Sequence, residues 1–259
     1  YRLGHDKIYD HMFLDGLEDA YNKEKLMGVF AETTAQKYNF SRQDQDEFTK
    51  TSLRRALKSQ DNGAFKNEIA SVTVKTRKGE VVVSQDEGPD QNKLEKISRL
   101  KPAFKKDCTV TAANSSSISD GASSLIIMNY KTAKTLNLTP LAKIHGHSSF
   151  AHQPEWFTTA PVFAIKDLLN KVSWHKDEVD LFEINEAFAV VTMAAMQELE
   201  LDHNKVNIKG GACALGHPIG ASGARIVITL IHALQAGQKG IAALCIGGGE
   251  ATAMAIEKL

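Results

Sequence analysis

Polar and apolar positions follow two rhythms along this chain, and the change falls near residue 119. In the first part, Ser41-Arg42-Gln43-Asp44 carries a capping hydroxyl with an acidic residue three positions on. This predicts a helix running to about Gln60 and stopped by Asn62-Gly63. Val72 and Val74 alternate with Thr73 and Lys75, Lys78-Gly79 turns, and Val81-Val82-Val83 returns, which predicts a hairpin. Asp86 to Asn92 reads as a polar loop, and Thr109 to Ser117, rich in small hydroxyl residues, as a loop lining something.

From Ser119 onward, strand and helix signals alternate. The predicted strands are Ala122 to Met128, Leu141 to His147, Leu181 to Ile184, Val206 to Lys209, Gly240 to Ile246 and Thr252 to Glu257. The predicted helices are Lys131 to Leu136, Val162 to Val172, Glu186 to Leu199 and Ala221 to Ala236. Such alternation implies an α/β layered domain. In layered α/β sheets, ligands bind beyond the carboxyl ends of strands. Three chemistry-bearing residues fall at such ends: Asn185 after one strand, His217 in a strand-to-helix loop, and Cys245 at the close of another strand.

Composition narrows the function classes. The 259 residues hold 31 Lys plus Arg and 31 Asp plus Glu, a balance that points to neither nucleic acid nor an anionic membrane. Apolar runs such as Ile226 to Ile231 are too short to span a bilayer. Cys108, Cys213 and Cys245 form no CxxC pair and no metal-ligand spacing, so no metal site is expected. They fit a reducing compartment, cytoplasmic or the matrix of a eukaryotic organelle. The chain opens at Tyr1 without Met in a polar segment unlike a signal peptide, and its natural N-terminus is expected to lie upstream. His145 and His147 flank Gly146, but no third ligand accompanies them, and a strand exposing two imidazoles is expected. The run Lys96 to Lys106 is read as a solvated basic face or one that approaches phosphates. The glycines of Gly216 to Gly223 have the wrong spacing for a dinucleotide fingerprint.

The glycine runs carry the chemistry. Cys245 precedes Gly247-Gly248-Gly249, where exposed amides would lower the thiol's pKa and hold an oxyanion. The His217 imidazole can take a proton from a thiol or donate to a carbonyl oxygen, and Pro218 fixes the backbone after it. Asn185 can hold a water or cap the helix that follows.

With Asn185-Glu186-Ala187-Phe188, Gly216-His217-Pro218-Ile219-Gly220-Ala221-Ser222-Gly223 and Cys245-Ile246-Gly247-Gly248-Gly249 in this order, the chain resembles the thiolase family. These CoA-dependent acyltransferases make or cleave 3-ketoacyl-CoA through a covalent acyl-cysteine. Weaker matches run along the whole chain, among them Asp10-His11-Met12, Leu100-Lys101-Pro102-Ala103-Phe104 and Asn114-Ser115-Ser116. The resemblance implies an α/β thiolase-like α-β-α domain with an α+β loop domain. Its parts would be a CoA-binding loop domain over 1–118, a terminal strand-helix piece of the N-terminal domain over 119–138, and the C-terminal domain over 139–259.

For catalysis, the resemblance implies that His217 activates the nucleophile and donates to a thioester oxygen. Asn185 would position the water that completes that oxyanion hole, Cys245 would move the α-proton of acetyl-CoA, and the Gly247 amide would hold the acyl-enzyme oxyanion. Leu17, Met27, Phe104, Ala112, Ser116, Ala187 and Phe188 match positions around CoA and its pantetheine arm. Acetyl-CoA and 3-ketoacyl-CoA are the implied ligands, as substrates rather than cofactors, with a place in fatty acid metabolism and a homodimeric or tetrameric parent.

No residue matches the family's nucleophilic cysteine, because neither Cys108 nor Cys213 has its small-residue setting. Roughly the first third of the family's chain is therefore expected to be absent here, and the isolated chain to be inactive. The alternative is a non-catalytic CoA-binding or scaffold relic. Three departures bear on the pocket. Leu26-Met27-Gly28 stands where many short-chain thiolases have His-Met-Gly, Phe157-Thr158-Thr159-Ala160-Pro161 replaces Met-Gly-x-Gly-Pro, and Glu250-Ala251 replaces Met-Gly.

Overall fold

The computed structural model describes residues 2–259; Tyr1, the first residue of the polar opening segment, lies outside the described residues. A single π turn, Phe13–Leu17, precedes helix α1, Met27–Tyr38. The sequence pattern did not reveal α1. Its apolar face is only Met27, Phe30, Ala31 and Ala35, eked out by buried Glu32 and Thr34. It ends at Asn39, whose φ of 55° gives the left-handed turn that closes a helix.

Helix α2, Arg42–Asp61, starts where the capping signal predicts. The Asp44 amide donates to Ser41 Oγ at 3.1 Å, and the Ser41 amide donates to the Asp44 carboxylate at 2.8 Å. Strands β1, Val72–Thr76, and β2, Gly79–Val83, form the expected antiparallel hairpin, exposed at every position.

A four-stranded sheet occupies the second half: β3 Ala142–Ala151, β4 Leu181–Ile184, β5 Lys239–Ile246 and β6 Glu250–Lys258. The order is β3-β6-β5-β4, with β4 and β5 parallel and the other pairs antiparallel. Helix α3 (Tyr130–Thr135) precedes β3, and the chain between the strands forms α4 (Ala160–Val172), α5 (Ala189–Leu199), α6 (Ala212–Leu215) and α7 (Ile219–Ala233). Alternation along β5 and β6 sorts the core into two layers. Ile241, Ala243, Ala251, Ala253 and Ala255 pack with Ile165 and Leu168 of α4 and Leu199 of α5, while Ala242 and Ile256 pack with Ile226 and Leu230 of α7. Leu168 and Leu230 are fully buried, each contributing roughly 2 kcal/mol of transfer free energy. The result is the layered α/β arrangement that the alternating pattern predicts.

Three expectations are corrected. Residues 121–129 run without a ladder partner among the described residues, and Ile126 and Ile127 are exposed, so Ala122 to Met128 is no strand here. Val206 to Lys209 is not a strand either; only Val206 bridges, to Phe182. Asn207, with φ of 48°, turns the chain and substitutes its side chain for a ladder. Its Oδ1 accepts from the Ile184 amide and its Nδ2 donates to the Ile184 carbonyl, both at 2.8 Å. Finally, α5 begins at Ala189 with Phe188 in the cap position, so Asn185 is not the helix N-cap.

Among the described residues, no helix is long and apolar enough to cross a membrane, and no group of three metal-ligating side chains converges. His145 instead meets Glu257 of the neighbouring strand at 2.7 Å.

Candidate active site

Two parallel strands aim the site. The β4–β5 register pairs Ile184 with Ala243, and the Asn185 amide donates to the Ala243 carbonyl at 2.9 Å, one step past β4. Cys245 stands two residues beyond Ala243, so its Cα lies on the order of 6 Å from that of Asn185, given ordinary strand spacing. His217 reaches the same end from the loop between α6 and α7. There the Ser117 carbonyl accepts from the His217 amide at 3.0 Å, and Asn185 Nδ2 lies 3.3 Å from His217 Nε2. On the far side of the ring, Nδ1 is 2.6 Å from Ser222 Oγ. Asn185 Oδ1 is buried with no protein partner.

The hydroxyl-rich loop of residues 109–117 laces these segments together. The Ala189 amide donates to the Asn114 carbonyl, the Ser116 amide to Ala187, and the Ser116 hydroxyl also to Ala187, at 2.8, 3.0 and 2.9 Å. The expectation of a lining loop thus acquires a cause: its backbone edge pairs with the Asn185–Phe188 turn and with His217.

Beneath the turn sits Glu186, 1% exposed. Its carboxylate accepts from Ser52 Oγ at 2.7 Å, Asn207 Nδ2 at 2.9 Å and the Cys213 amide at 3.1 Å. Burial pushes the carboxyl's pKa up, and these donors oppose that rise. A Cβ on Gly211 would lie 2.2 Å from the Glu186 carboxyl carbon, so only glycine fits there. Glu186 and Ser222 both stand inside the quoted motifs, yet sequence reasoning gave neither a role. A carboxylate between Ile184 and Ala187 was the available signal for the first.

Electrostatics revise one expectation and set the charge state of a second group. Cys245 is buried in an apolar cluster with Met27, Phe30, Phe157, Ala187 and Phe188, joined by Phe104. Burial pushes its thiol up to about 12, and a hydrogen bond from its own amide only partly offsets this. The expected lowering by the glycine run therefore fails, because the sulfur faces hydrocarbon. His217 is depressed to about 4, first by burial and then by the Arg225 guanidinium, so its imidazole is neutral and able to accept a proton near pH 7. Gly249 must be glycine on two counts: φ is +91°, and a Cβ would lie 2.2 Å from the His152 carbonyl oxygen.

The residues matched to CoA positions divide. Met27, Phe104, Ala187 and Phe188 share the Cys245 cluster, and the Phe104 ring meets Phe188 edge-on at 6.0 Å and lies against the Gly28 backbone. Met27 Sδ would be 3.5 Å from a Cβ on Gly247. Ser116 is tied to Ala187, Ala112 is exposed, and Leu17 sits half-buried in the π turn outside that cluster. Two open clefts of about 520 and 490 Å³, one along α2 and one between α2 and α5, contain none of these residues.

Comparison with known proteins decides the family. A model described as the thiolase N-terminal domain matches residues 1–131, and one described as the thiolase C-terminal domain matches 138–258. The chain belongs to the thiolase family. A probable acetyl-CoA acyltransferase of Staphylococcus aureus strain COL is 46% identical over 261 residues, covering 100% of this chain and 66% of its own length. The acetyl-CoA acetyltransferase of Bacillus anthracis superposes with a TM-score of 0.94 at 43% identity, over 100% of this chain and 66% of that one. Acat5 thiolase of Ascaris suum, solved in complex with coenzyme A, gives 0.90 at 41% identity, over 99% and 66%. This thiolase chain thus spans 66% of the length of the relatives it matches.

Proposed function

We propose that this chain carries the second-substrate half of an acetyl-CoA C-acyltransferase site and that the acylated cysteine comes from outside its 259 residues. The observation that carries the reading is the contact between Asn185 and His217 at the sheet end where Cys245 stands. Neutral His217 takes the proton of the incoming nucleophilic thiol and, once charged, donates to the thioester oxygen. Asn185, with its unpartnered Oδ1, orients the water that shares that oxygen.

In the thiolytic direction, the Cys245 thiol delivers its proton to the α-carbon as the carbon–carbon bond breaks. Condensation is the reverse, with His217 charged and Cys245 a thiolate at the start. The thiolate removes the α-proton, and the carbanion attacks the acyl carbon. The carbon–sulfur bond breaks to release the nucleophilic cysteine, which takes its proton back from His217. The Gly247 amide holds the acyl-enzyme oxyanion. Leu17, Met27, Phe104, Ala112, Ser116, Ala187 and Phe188 flank the CoA arm, a ligand also named for the Ascaris suum relative. Residues 1–118 form the loop domain, 119–138 the terminal piece of the N-terminal domain, and 139–259 the C-terminal domain of a homo-oligomeric cytoplasmic or organelle-matrix enzyme.

In this reading none of the three cysteines is the nucleophile. Cys213 is half-buried against the Glu186 carbonyl, with its thiol pushed far up, Cys108 lies on the loop before Thr109, and Cys245 has the proton-transfer role. That observation also favours a second reading, a non-catalytic CoA-binding relic.

Calorimetry with acetyl-CoA and a spectrophotometric assay of CoA-dependent acetoacetyl-CoA cleavage separate these readings. The chain alone should bind, with affinity lost in His217→Ala, and should not turn over. Coexpression with the remaining third of the S. aureus relative should restore cleavage. Turnover by the chain alone would overturn the external nucleophile, and binding without rescue would favour the relic.

A further inference from the structure

Ser222 is fully buried on the first turn of α7, five residues past His217. Its Oγ touches two atoms, His217 Nδ1 at 2.6 Å and the Pro218 carbonyl oxygen at 3.0 Å. A carbonyl oxygen only accepts, and a serine hydroxyl carries one proton. When that proton points to Pro218, the face of Oγ toward the imidazole is an acceptor, and Nδ1 opposite it carries hydrogen. At the other ring nitrogen stands Asn185 Nδ2, a donor, which calls for a bare Nε2. The same arrangement serves the imidazolium, whose Nδ1–H needs an acceptor; Oγ fills that place while its own proton keeps Pro218. The neighbours of the ring are therefore neutral: a hydroxyl on one side and an amide on the other, with Arg225 the nearby charge that acts on it.

We propose that Ser222 is a positioning residue that holds His217 as the Nδ1–H tautomer, with the Nε2 lone pair turned toward Asn185 and the substrate space. Its catalytic consequence rests on the thiolase reading above, because only a bare Nε2 can take the proton of an incoming thiol. A hydroxyl in place of a carboxylate leaves the imidazole a weak base and the imidazolium a ready donor, which suits a group that must pass its proton on. Serine rather than alanine at this point of the motif thus has a physical cause.

Long-range proton–nitrogen correlation NMR on the whole chain labelled with 15N-histidine reads the tautomer directly. His217 is assigned by its absence from the spectrum of His217→Gln. At pH 7 the pyrrole-type resonance should belong to Nδ1 and the pyridine-type to Nε2. Ser222→Ala should shift the tautomer ratio toward Nε2–H by about fivefold, the weight of one neutral hydrogen bond. Ser222→Thr, which keeps the hydroxyl, should restore it. An Nε2–H tautomer in the unaltered protein, or a ratio unmoved in a folded Ser222→Ala, would overturn the proposal. The unaltered protein alone suffices should Ser222→Ala fail to fold. Failure of the acyltransferase reading shows up separately, as loss of acetyl-CoA binding with the tautomer as stated.

Discussion

Replacing His217 by glutamine should make the protein less sensitive to acid. In the folded chain, burial and then Arg225 depress this imidazole from 6.5 to about 4. A histidine with a depressed folded pKa costs nothing above its unfolded value. It removes stability as pH falls below 6.5, because the unfolded chain takes the proton first, and the loss is complete below about 4. At 1.36 kcal/mol per pH unit, the full loss is about 3.4 kcal/mol, and by pH 4.5 about 2.5 kcal/mol of it is present.

One titration curve will not isolate this, since Glu183, buried and held up to about 8, keeps its proton in the folded state over the same range, where the unfolded chain has lost it, and opposes the trend. The double difference does isolate it. Urea unfolding of the unaltered chain and of His217→Gln at pH 7.0 and 4.5 should show the variant losing about 2 kcal/mol less between the two. The Glu183 contribution is common to both and cancels. Equal losses in the two proteins would refute the depressed imidazole.

Gly211→Ala should cost about 3 kcal/mol in urea unfolding, as its Cβ would lie 2.2 Å from the buried Glu186 carboxyl, whereas Gly220→Ala, with nothing within 4 Å, should be neutral or gain up to about 1 kcal/mol. Ser41→Ala should lower stability by about 1 kcal/mol through loss of the capping box on α2, read as a shift of the same unfolding midpoint. A thiol-reactive probe at pH 8, followed by peptide mapping, should modify half-buried Cys108 first, half-buried Cys213 more slowly because its thiol is pushed far up, and buried Cys245 only on unfolding. Labelling of Cys245 at the rate of Cys108 would contradict its burial in the apolar cluster.

Elements whose signals are local were legible in the chain. The capping box at Ser41, the valine alternation of the hairpin, and the apolar runs of β4 and β5 each depend on neighbours a few residues away. The three motif residues were legible for the same reason: glycine and proline punctuate the backbone wherever they stand. Helix α1 escaped notice because a third of its buried side chains are polar, and their partners, Thr109 and Val110 on Glu32 and Thr158 on Thr34, lie far along the chain. The false strand at Val206 shows the converse, for an apolar residue followed by a left-handed asparagine reads as a strand until the side chain of Asn207 is seen filling the ladder of Ile184.

Sequence alone determined which residues carry chemistry here, because an imidazole, a thiol and a carboxamide among glycines are covalent facts of the chain. Tertiary structure alone decided what state those groups are in. The thiol of Cys245 is high because Met27, Phe104 and Phe188, distant in sequence, remove its water. His217 is neutral because burial and Arg225 disfavour its charge, and Ser222 gives its Nδ1 a partner. Protonation follows the surrounding dielectric and charges, and these are assembled only when separate stretches of the chain meet.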